Sequence, residues 1–421
     1  MWLEDKIWNF RDHQCYYETN CYASDFIESN KDKLDSLLQS QVHKWTPFTH
    51  KWTPFTHKWT PFTVAEFRAF LAVVLNMGLN QKPNYNAYWD TCHHSQETPW
   101  FPAHFNRDRF QIILKFLHFA DNSQMPERDE PDYKLYKIKE IVDYFNQKCI
   151  YHYHPFQNIS IDESMIGFKG RTPYLRQYMP NKRHLRFGIK LWCLSDSSNG
   201  YLCQFEIYTD SQAKRPAVPP ARSFTHELII RLLTNADLLH RGQHLGVDNF
   251  FTSSKELTSA RNGNLLCLAY QDNNRKPVLL STMAKSGFID TVNSRNQAVR
   301  RPAVIHAYNE AMGGVDLGDE KLYMYLAERQ TLKWTNKVFF SLLGRAVLNS
   351  YILYKLNTTD KPVLFRYNFI ISVLESLSSK FTPAKIIRRK WTREEISTTR
   401  KGVESLVPSA SSHPLGGHDL V

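Results

Sequence analysis

The sequence predicts a mixed α/β protein in which a central sheet is flanked by helical segments, and three observations indicate this. Apolar residues recur at helical spacing over residues 63–156. Short runs rich in β-branched and aromatic residues, bounded by turn-forming residues, follow between residues 158 and 248. Helical spacing returns beyond residue 306. With 421 residues, 42% of them hydrophobic, the chain can bury a substantial core. We expect two or three structural units, at roughly 100–200 residues per domain.

The charge of the chain favours a polyanionic partner. The formal net charge is +12, and the basic residues are spread along the sequence rather than collected in one tail. Distributed basicity of this kind is typical of nucleic-acid binding, because cations that neutralise phosphates release counterions. A soluble basic protein without such a partner has the same composition, so charge alone leaves both interpretations open.

The cysteines and the apolar runs restrict the compartment. The seven cysteines form no CxxC pair, which argues against a disulfide framework and against a cysteine zinc site. We therefore expect a reducing compartment, cytosol or nucleus. The N-terminus lacks the pattern of a signal peptide. The longest apolar stretch, residues 70–79, is about half of the roughly 20 residues that a membrane-spanning helix needs. No membrane association is expected.

An internal repeat marks the segment that we predict to be an N-terminal arm, residues 1–62. The sequence HKWTPFT occurs in tandem at residues 43–49, 50–56 and 57–63. A proline every seven residues excludes a continuous helix, so an extended arm is expected. Either the arm lays Lys and Trp along a nucleic-acid backbone, or the repeat is a local duplication in a loop.

Residues 63–156 form a predicted helical unit. Thr63 and Glu66 have the spacing of a capping box, which starts a mostly apolar helix. Further helices are predicted at 105–120 and 133–153 from their apolar spacing.

The next segment, residues 157–263, changes to a strand pattern. The predicted elements are strands at 158–166, 185–196 and 201–210, a helix at 224–242, an apolar strand that ends at Asp248, and a helix near 253–263. Three strands that can pair antiparallel, then a helix and a fourth strand, are the order expected of a ribonuclease H-like core. In that core the first and fourth strands lie side by side, which would place Asp162 beside Asp248.

The remaining segments return to helices. Short strands are predicted at 264–271 and 277–284, within a region 264–300 that we interpret as a shortened insertion. A helix is predicted at 306–330, and it overlaps the segment 301–322 that we interpret as the core helix. Helices at 332–355 and 363–379 make a second helical part, residues 323–382. The tail, residues 383–421, is basic and then rich in Ser, Gly and Pro, which predicts disorder.

Acidic residues at the ends of predicted strands suggest a metal site in this basic chain. Asp162 and Asp248 close two strands, and Asp316 and Asp319 share one face of a later helix after Gly313 and Gly314. Carboxylates from adjacent strands and a helix form an oxygen pocket that suits Mg²⁺ or Mn²⁺. Two such ions can activate an attacking hydroxyl and stabilise a leaving oxygen.

Each of these carboxylates also has a plainer interpretation. A lone Asp after a strand is more often a helix cap or a turn residue. Asp319 either supports the ligands or is a helix-surface charge, and Glu163 should point to the opposite face from Asp162. His152 and His154 resemble a zinc pair, but a structural role is favoured because no cysteine ligand lies nearby.

Several stretches together resemble the piggyBac-type transposases and the transposable-element-derived proteins of that family. They are ISIDESMIGFKGR, YMPNKRHLRFGIKLWCL, HLGVDNFFTS, KPVLLSTM, AYNEAMGGVDLGD and LKWTNKVFFSLLGRAVLNSYILY. The resemblance runs from about residue 60 to residue 380 in the family's order. It implies a ribonuclease H-like core with catalytic, metal-binding Asp162, Asp248 and Asp316, with Asp319 in the neighbouring acidic position.

The resemblance also implies partners and an activity. It assigns the helical parts, residues 63–156 and 323–382, to DNA binding and dimerisation. It implies cut-and-paste transposition at TTAA targets through hairpin ends, with Mg²⁺ or Mn²⁺, by a homodimer bound to DNA in the nucleus. The basic residues of the matching blocks are assigned to DNA contact, together with the KW motif: Lys169, Arg171, Lys182, Arg183, Lys333 and Trp334.

Departures from the family pattern support a second hypothesis. The segment after Asp248 is shorter than in the family, the HKWTPFT repeat is unusual, and no cysteine follows Cys267, so no zinc module is expected in this chain. The first hypothesis is an active transposase core. The alternative is a catalytically inactive, domesticated DNA- or chromatin-binding protein. A stand-alone structure-specific nuclease ranks third.

Overall fold

The computed structural model describes residues 11–29, 60–130, 132–179, 186–209, 224–248, 259–262, 265–269, 278–281, 287–292, 296–326, 331, 333–359 and 362–381. These residues lie within one compact unit, residues 1–382. The first two HKWTPFT copies, most of the third, and the tail predicted to be disordered lie outside the described residues.

The helices are α1 (Arg11–Ser29), α2 (Val64–Leu79), α3 (Trp100–His104), α4 (Arg107–Phe116), α5 (Tyr136–His152), α6 (Phe224–Asn235), α7 (Ala303–Met312), α8 (Gly314–Met324), α9 (Trp334–Asn357) and α10 (Arg366–Ser378). The strands are β1 (Asn158–Gly167), β2 (Arg176–Tyr178), β3 (Phe187–Asp196), β4 (Leu202–Ile207), β5 (His244–Val247), β6 (Ser259–Asn262), β7 (Leu265–Ala269), β8 (Val278–Ser281), β9 (Phe288–Val292) and β10 (Ala298–Pro302).

Helix α2 begins at the predicted cap, although only half of the capping box forms. The Thr63 hydroxyl accepts the Glu66 N–H at 3.2 Å, which confirms the cap. The Glu66 carboxylate does not complete the box, because it accepts two hydrogen bonds from Arg109, at 2.7 and 3.0 Å. This bidentate pair ties α2 to α4. Since α2 is apolar on nearly every side, it is buried for most of its length.

Helix α1 was not predicted and lies in the segment interpreted as an arm. Its buried residues Cys15, Thr19 and Ala23 recur every four positions, which is the signal that could have revealed it. The Thr19 hydroxyl bonds the backbone of His118, and the Asn20 side chain bonds the backbone of Phe62 through both its donor and its acceptor. These bonds hold α1 against the helical unit.

The central sheet has the order β2–β3–β1–β5, and β4 pairs with β3. Strands β1, β3 and β4 pair antiparallel, as predicted. Strand β5 pairs with β1 in parallel, which confirms that the first and fourth predicted strands lie side by side. Helix α6 ends earlier than predicted, at Asn235, and Asp237 and His240 then adopt positive φ angles of 51° and 62°.

Two predictions after Asp248 are corrected. The helix predicted near 253–263 is wrong for Ser259–Asn262, because these residues form strand β6 and pair antiparallel with β7. Strand β8 completes that sheet, and β9 and β10 form a separate hairpin. The helix predicted at 306–330 is instead two helices, α7 and α8, with the break at Gly313.

Helix α9 connects the helical unit with the sheet. It contributes to both hydrophobic clusters, with Val338 and Leu342 in one and Leu348 and Ile352 in the other. The Asn349 side chain bonds the backbone N–H and carbonyl of Leu202 at the start of β4. In the part of the chain that the structure describes, no helix combines the length and apolar character needed to cross a bilayer.

Candidate active site

Strands β1 and β5 bring Asp162 and Asp248 to the same end of the sheet. The parallel register runs from Asn158 opposite His244 to Ile161 opposite Val247, and the two aspartates follow these last partners. Side chains alternate along a strand, so Asp248 shares its face with Gly246. Helix α7 covers that face closely, since a Cβ atom on Gly246 would lie 2.9 Å from the backbone of Ala311.

Helix α8 brings Asp316 to the same region. A Cβ atom on Gly314 would lie 2.6 Å from the Ser160 hydroxyl and 2.8 Å from the Asp196 carbonyl, so α8 begins in close contact with the sheet. Asp316 lies in the first turn of this helix and is exposed. Its charge contributes to raising the pKa of Asp162, which places it within electrostatic reach.

Replacing Gly314 or Gly313 by alanine should show which of the two glycines is required for the close approach of α8 to the sheet. Gly314→Ala is expected to destabilise the fold by about 1–3 kcal/mol, because the new Cβ overlaps Ser160 and a backbone carbonyl. Gly313→Ala is the matched control: no atom lies within 4 Å of its Cβ position, and its φ is −77°. That control should be neutral or slightly stabilising. Urea unfolding measures both, and equal destabilisation would contradict the close approach at Gly314.

The carboxyl group of Asp162 is electrostatically perturbed. Burial is the largest effect on its pKa and raises it, and the Glu163 and Asp316 carboxylates raise it further. The backbone N–H of Glu163 lowers the pKa, and the net result is a pKa of about 7. That N–H donates to Asp162 Oδ1 at 2.8 Å. Glu163, which pairs with Trp192 across the sheet, was expected to face away from Asp162, yet its carboxyl still acts on it. Asp162 therefore lies in an environment that disfavours its ionised form.

Tyr308 is a residue of this site that the sequence reasoning missed. It lies on α7, and its pKa is raised to about 12 by burial, by Asp248 and by Asp162, in that order. The phenol is thus protonated at neutral pH and lies near both carboxylates. Its position in the AYNEAMGGVD block, eight residues before Asp316, is the signal that could have identified it.

Asp319 is held in a buried network of hydrogen bonds. Its Oδ1 atom accepts hydrogen bonds from the Ser164 hydroxyl at 2.8 Å and from Arg345 Nη2 at 3.0 Å. The side chains of Arg345 and Asp319 are 5% and 11% exposed, so this ion pair lies inside the protein. With Ser164, the pair joins β1, α8 and α9, and this geometry supports a structural role for Asp319.

The donor chemistry of the site fits a hard divalent cation. Asp162, Asp248 and Asp316 offer only carboxylate oxygens, the ligands that Mg²⁺ and Mn²⁺ prefer. Within the described ranges, no three His, Cys, Asp or Glu side chains already form a group that could hold a metal ion. Binding would therefore require the side chains to converge.

The six residues predicted to contact DNA lie in different environments. Lys169 and Arg171 are exposed in the turn after β1. Lys182 and Arg183 lie outside the described residues. Lys333 donates to the Lys115 carbonyl at the C-terminal end of α4, where a cation also interacts favourably with the helix dipole. Trp334 is partly buried against the hydrophobic core.

The local environment of Lys333 predicts a pH-dependent effect on stability. Partial burial and the neighbouring Lys115 and Lys137 lower its pKa to about 8, below the value of about 10.4 for an unfolded chain. The charged form is disfavoured in the fold, so Lys333 reduces the unfolding free energy fully below about pH 8. This cost declines as the pH rises from about 8 and is absent above about 10.4. Lys333→Met should be more favourable to stability at pH 7 than at pH 10, measured by urea unfolding. The same difference from wild type at both pH values would contradict this.

The fold and the carboxylate arrangement define a transposase-type core, and comparisons with known proteins agree. Residues 17–278 and 254–351 match the family described as transposase IS4. PiggyBac transposable element-derived protein 3 from Homo sapiens is 25% identical over 356 residues, 72% of this chain and 57% of that protein. PiggyBac transposable element-derived protein 2 from Homo sapiens is 22% identical over 380 residues, 78% of this chain and 62% of that protein. The chain belongs to the piggyBac-type transposase family.

A solved structure shows the same fold. The cryo-EM structure of a piggyBac transposase synaptic complex with hairpin DNA matches with a TM-score of 0.69 at 20% identity. The match covers 96% of this chain and 85% of that one. The chain thus spans most of that solved structure, but only 57% and 62% of the lengths of the two human relatives.

Proposed function

We propose that this protein is a DNA strand transferase whose ribonuclease H-like core uses Asp162, Asp248 and Asp316 to hold Mg²⁺ or Mn²⁺. One observation carries the proposal: the parallel pairing of β1 and β5 ends directly before Asp162 and Asp248, and α8 adds Asp316 from a helix packed against the same strands. Asp319 is assigned a supporting role, because its carboxylate is bound by Arg345 and Ser164.

The side chains of the site have different roles in the proposed strand cleavage. Asp162, Asp248 and Asp316 hold the cation, which when bound activates the attacking oxygen and stabilises the leaving one. Tyr308 stays protonated and is a hydrogen-bond donor beside Asp248 and Asp162. The Arg345–Asp319 pair, together with Ser164, ties the middle of α8 to α9 and β1.

The rest of the proposal concerns substrate and assembly. The exposed Lys169 and Arg171 contact the phosphate backbone near the catalytic strand. TTAA target sites, hairpin ends and a nuclear location are part of the proposal because the chain resembles piggyBac-type transposases. A homodimer is supported by the exposed apolar run before α10, where Val363, Leu364 and Phe365 are 40%, 41% and 82% exposed.

A second function is a DNA-binding protein without catalysis. It is favoured by the finding that, among the residues described, no group of three carboxylates is already assembled for metal binding. The net charge of +12 would suffice for salt-dependent DNA binding without cleavage.

One assay separates these functions. The purified chain is incubated with duplex DNA that carries transposon ends flanked by TTAA, with Mg²⁺ or with EDTA, and products are resolved on denaturing gels. The proposal expects metal-dependent nicks followed by hairpin ends and joined products. DNA binding without nicks would support the non-catalytic function, and nicks without joined products would indicate a nuclease.

A further inference from the structure

An exposed aromatic pair lies at one end of the central sheet. Tyr178 on β2 and Phe187 on β3 are cross-strand partners, and their ring centroids are 4.9 Å apart. They are 55% and 44% exposed, although rings of this size are usually buried. We call Tyr178, Phe187 and the adjacent Arg176 the aromatic edge. The guanidinium of Arg176 lies over the Phe187 ring, 5.5 Å from its centroid.

The surroundings of the aromatic edge are basic. Residues 164–195 contain seven Lys and Arg residues and no Asp or Glu. Arg186 is exposed next to Phe187, and its carbonyl accepts the Met179 N–H at 2.8 Å, which extends the pairing of the two strands. The turn that carries Lys169 and Arg171 joins the same end, because the Phe168 N–H donates to the Phe187 carbonyl at 3.2 Å. Aromatic faces beside cations match a polyanion with planar groups.

The aromatic edge shares a sheet face with Asp162. Asp162 pairs with Cys193 on β3, and Phe187 lies six residues before Cys193, so side-chain alternation places both on one face. At about 3.3 Å per residue, the separation along the strand is roughly 20 Å. A DNA strand advances about 3.4 Å per nucleotide, so the edge lies about six nucleotides from the carboxylates.

We infer that the aromatic edge is a nucleobase-stacking site that binds an unpaired base of the DNA strand running from the active site. A paired duplex presents phosphates and base edges, whereas the face of a ring is available only where bases are unstacked. The pair therefore distinguishes melted or distorted DNA from intact duplex, while Arg176, Arg186, Lys169 and Arg171 contact the backbone. The inference rests on the proposed function only in that the ligand is DNA.

Fluorescence anisotropy in EDTA tests the site without any cleavage. Two labelled duplexes of the same sequence are compared, one fully paired and one with a short unpaired bubble. For Tyr178→Ala/Phe187→Ala, affinity for the bubble should fall about tenfold or more, since stacking is worth about 1–3 kcal/mol per base. Affinity for the paired duplex should change by less than about twofold.

Two control variants test whether the loss of affinity is specific to the two rings of the aromatic edge. Tyr178→Phe/Phe187→Tyr keeps both rings and should bind the bubble like wild type. Phe288→Ala removes another exposed ring, 59% exposed with Arg300 5.6 Å from its centroid, and should also leave bubble binding unchanged. A second readout needs no variant: 2-aminopurine placed in the bubble should lose emission when wild-type protein binds.

Defined outcomes would overturn the inference. Equal loss of affinity for both duplexes, or no loss for either, would show that the rings read no unpaired base. A changed oligomeric state of the double alanine variant with unchanged DNA binding would make the edge a protein contact. Unquenched 2-aminopurine would count against stacking even if the double variant failed to fold. Because the assay is run in EDTA, its result does not depend on catalysis. A catalytically inactive chain can show the base-stacking site, and an active chain can lack it.

Discussion

Asp162→Asn is expected to abolish metal-dependent strand cleavage while leaving the metal-free fold at least as stable as wild type. Loss of one ligand removes charge stabilisation worth several kcal/mol, so activity should fall by about a thousandfold or more. The fold should not suffer, because burial, Glu163 and Asp316 raise the pKa of Asp162 to about 7, which means that its ionised form is disfavoured there. A neutral amide of the same shape relieves this.

The measurements for this variant are gel-based cleavage and thermal unfolding, each with Mg²⁺ and with EDTA. Mg²⁺ should raise the unfolding temperature of the wild type but not of Asp162→Asn, because a ligand stabilises only the state that binds it. Glu310→Gln is the control: it removes an exposed carboxylate from α7, 59% exposed, and should keep both activity and the Mg²⁺ response. Cleavage that survives Asp162→Asn would remove this residue from the catalytic centre.

Arg345→Leu is expected to destabilise the protein by about 3–5 kcal/mol, because it leaves the buried Asp319 carboxylate without its counter-charge. The guanidinium also donates to Ser164 at 2.6 Å, so the variant leaves two buried groups short of a partner. The unfolding free energy in urea measures the effect, which should be accompanied by loss of cleavage because α8 carries Asp316.

The double variant Arg345→Leu/Asp319→Leu is the matched control. Replacing a whole buried ion pair by apolar residues is often neutral or stabilising, so the double variant should recover much of the lost stability. Recovery of cleavage together with stability would show that the pair acts only through the fold. A double variant as unstable as Arg345→Leu would contradict the assignment of the cost to an unpaired charge.

The parts of the site that could be predicted depend on local pattern and strand order. Asp162 and Asp248 each close an apolar run, and the alternation of strands and helix places those runs side by side, as β1 and β5 show. The cap at Thr63 is likewise encoded within four residues, and the Thr63 bond to Glu66 forms as expected.

The missed features depend on contacts between distant residues. The partner of Glu66 is Arg109, 43 residues away, and the partner of Asp319 is Arg345, 26 residues away; neither pairing has a local signature. Tyr308 belongs to the site only because α7 packs against β5. The sequence predicts a helix for Ser259–Asn262, the residues of strand β6, because they carry no alternation of their own and the strand is defined by its pairing with β7.

We propose that Asp162, Asp248 and Asp316 together form one divalent-metal site, and a titration with Mn²⁺ tests this directly. Free and bound Mn²⁺ are distinguished by electron paramagnetic resonance, so a titration counts bound ions without requiring DNA or activity. The wild type is expected to bind Mn²⁺ saturably, and Glu310→Gln is expected to retain this binding. Asp162→Asn, Asp248→Asn and Asp316→Asn are each expected to lose it. Equal Mn²⁺ binding by the wild type and all three variants would contradict the proposal.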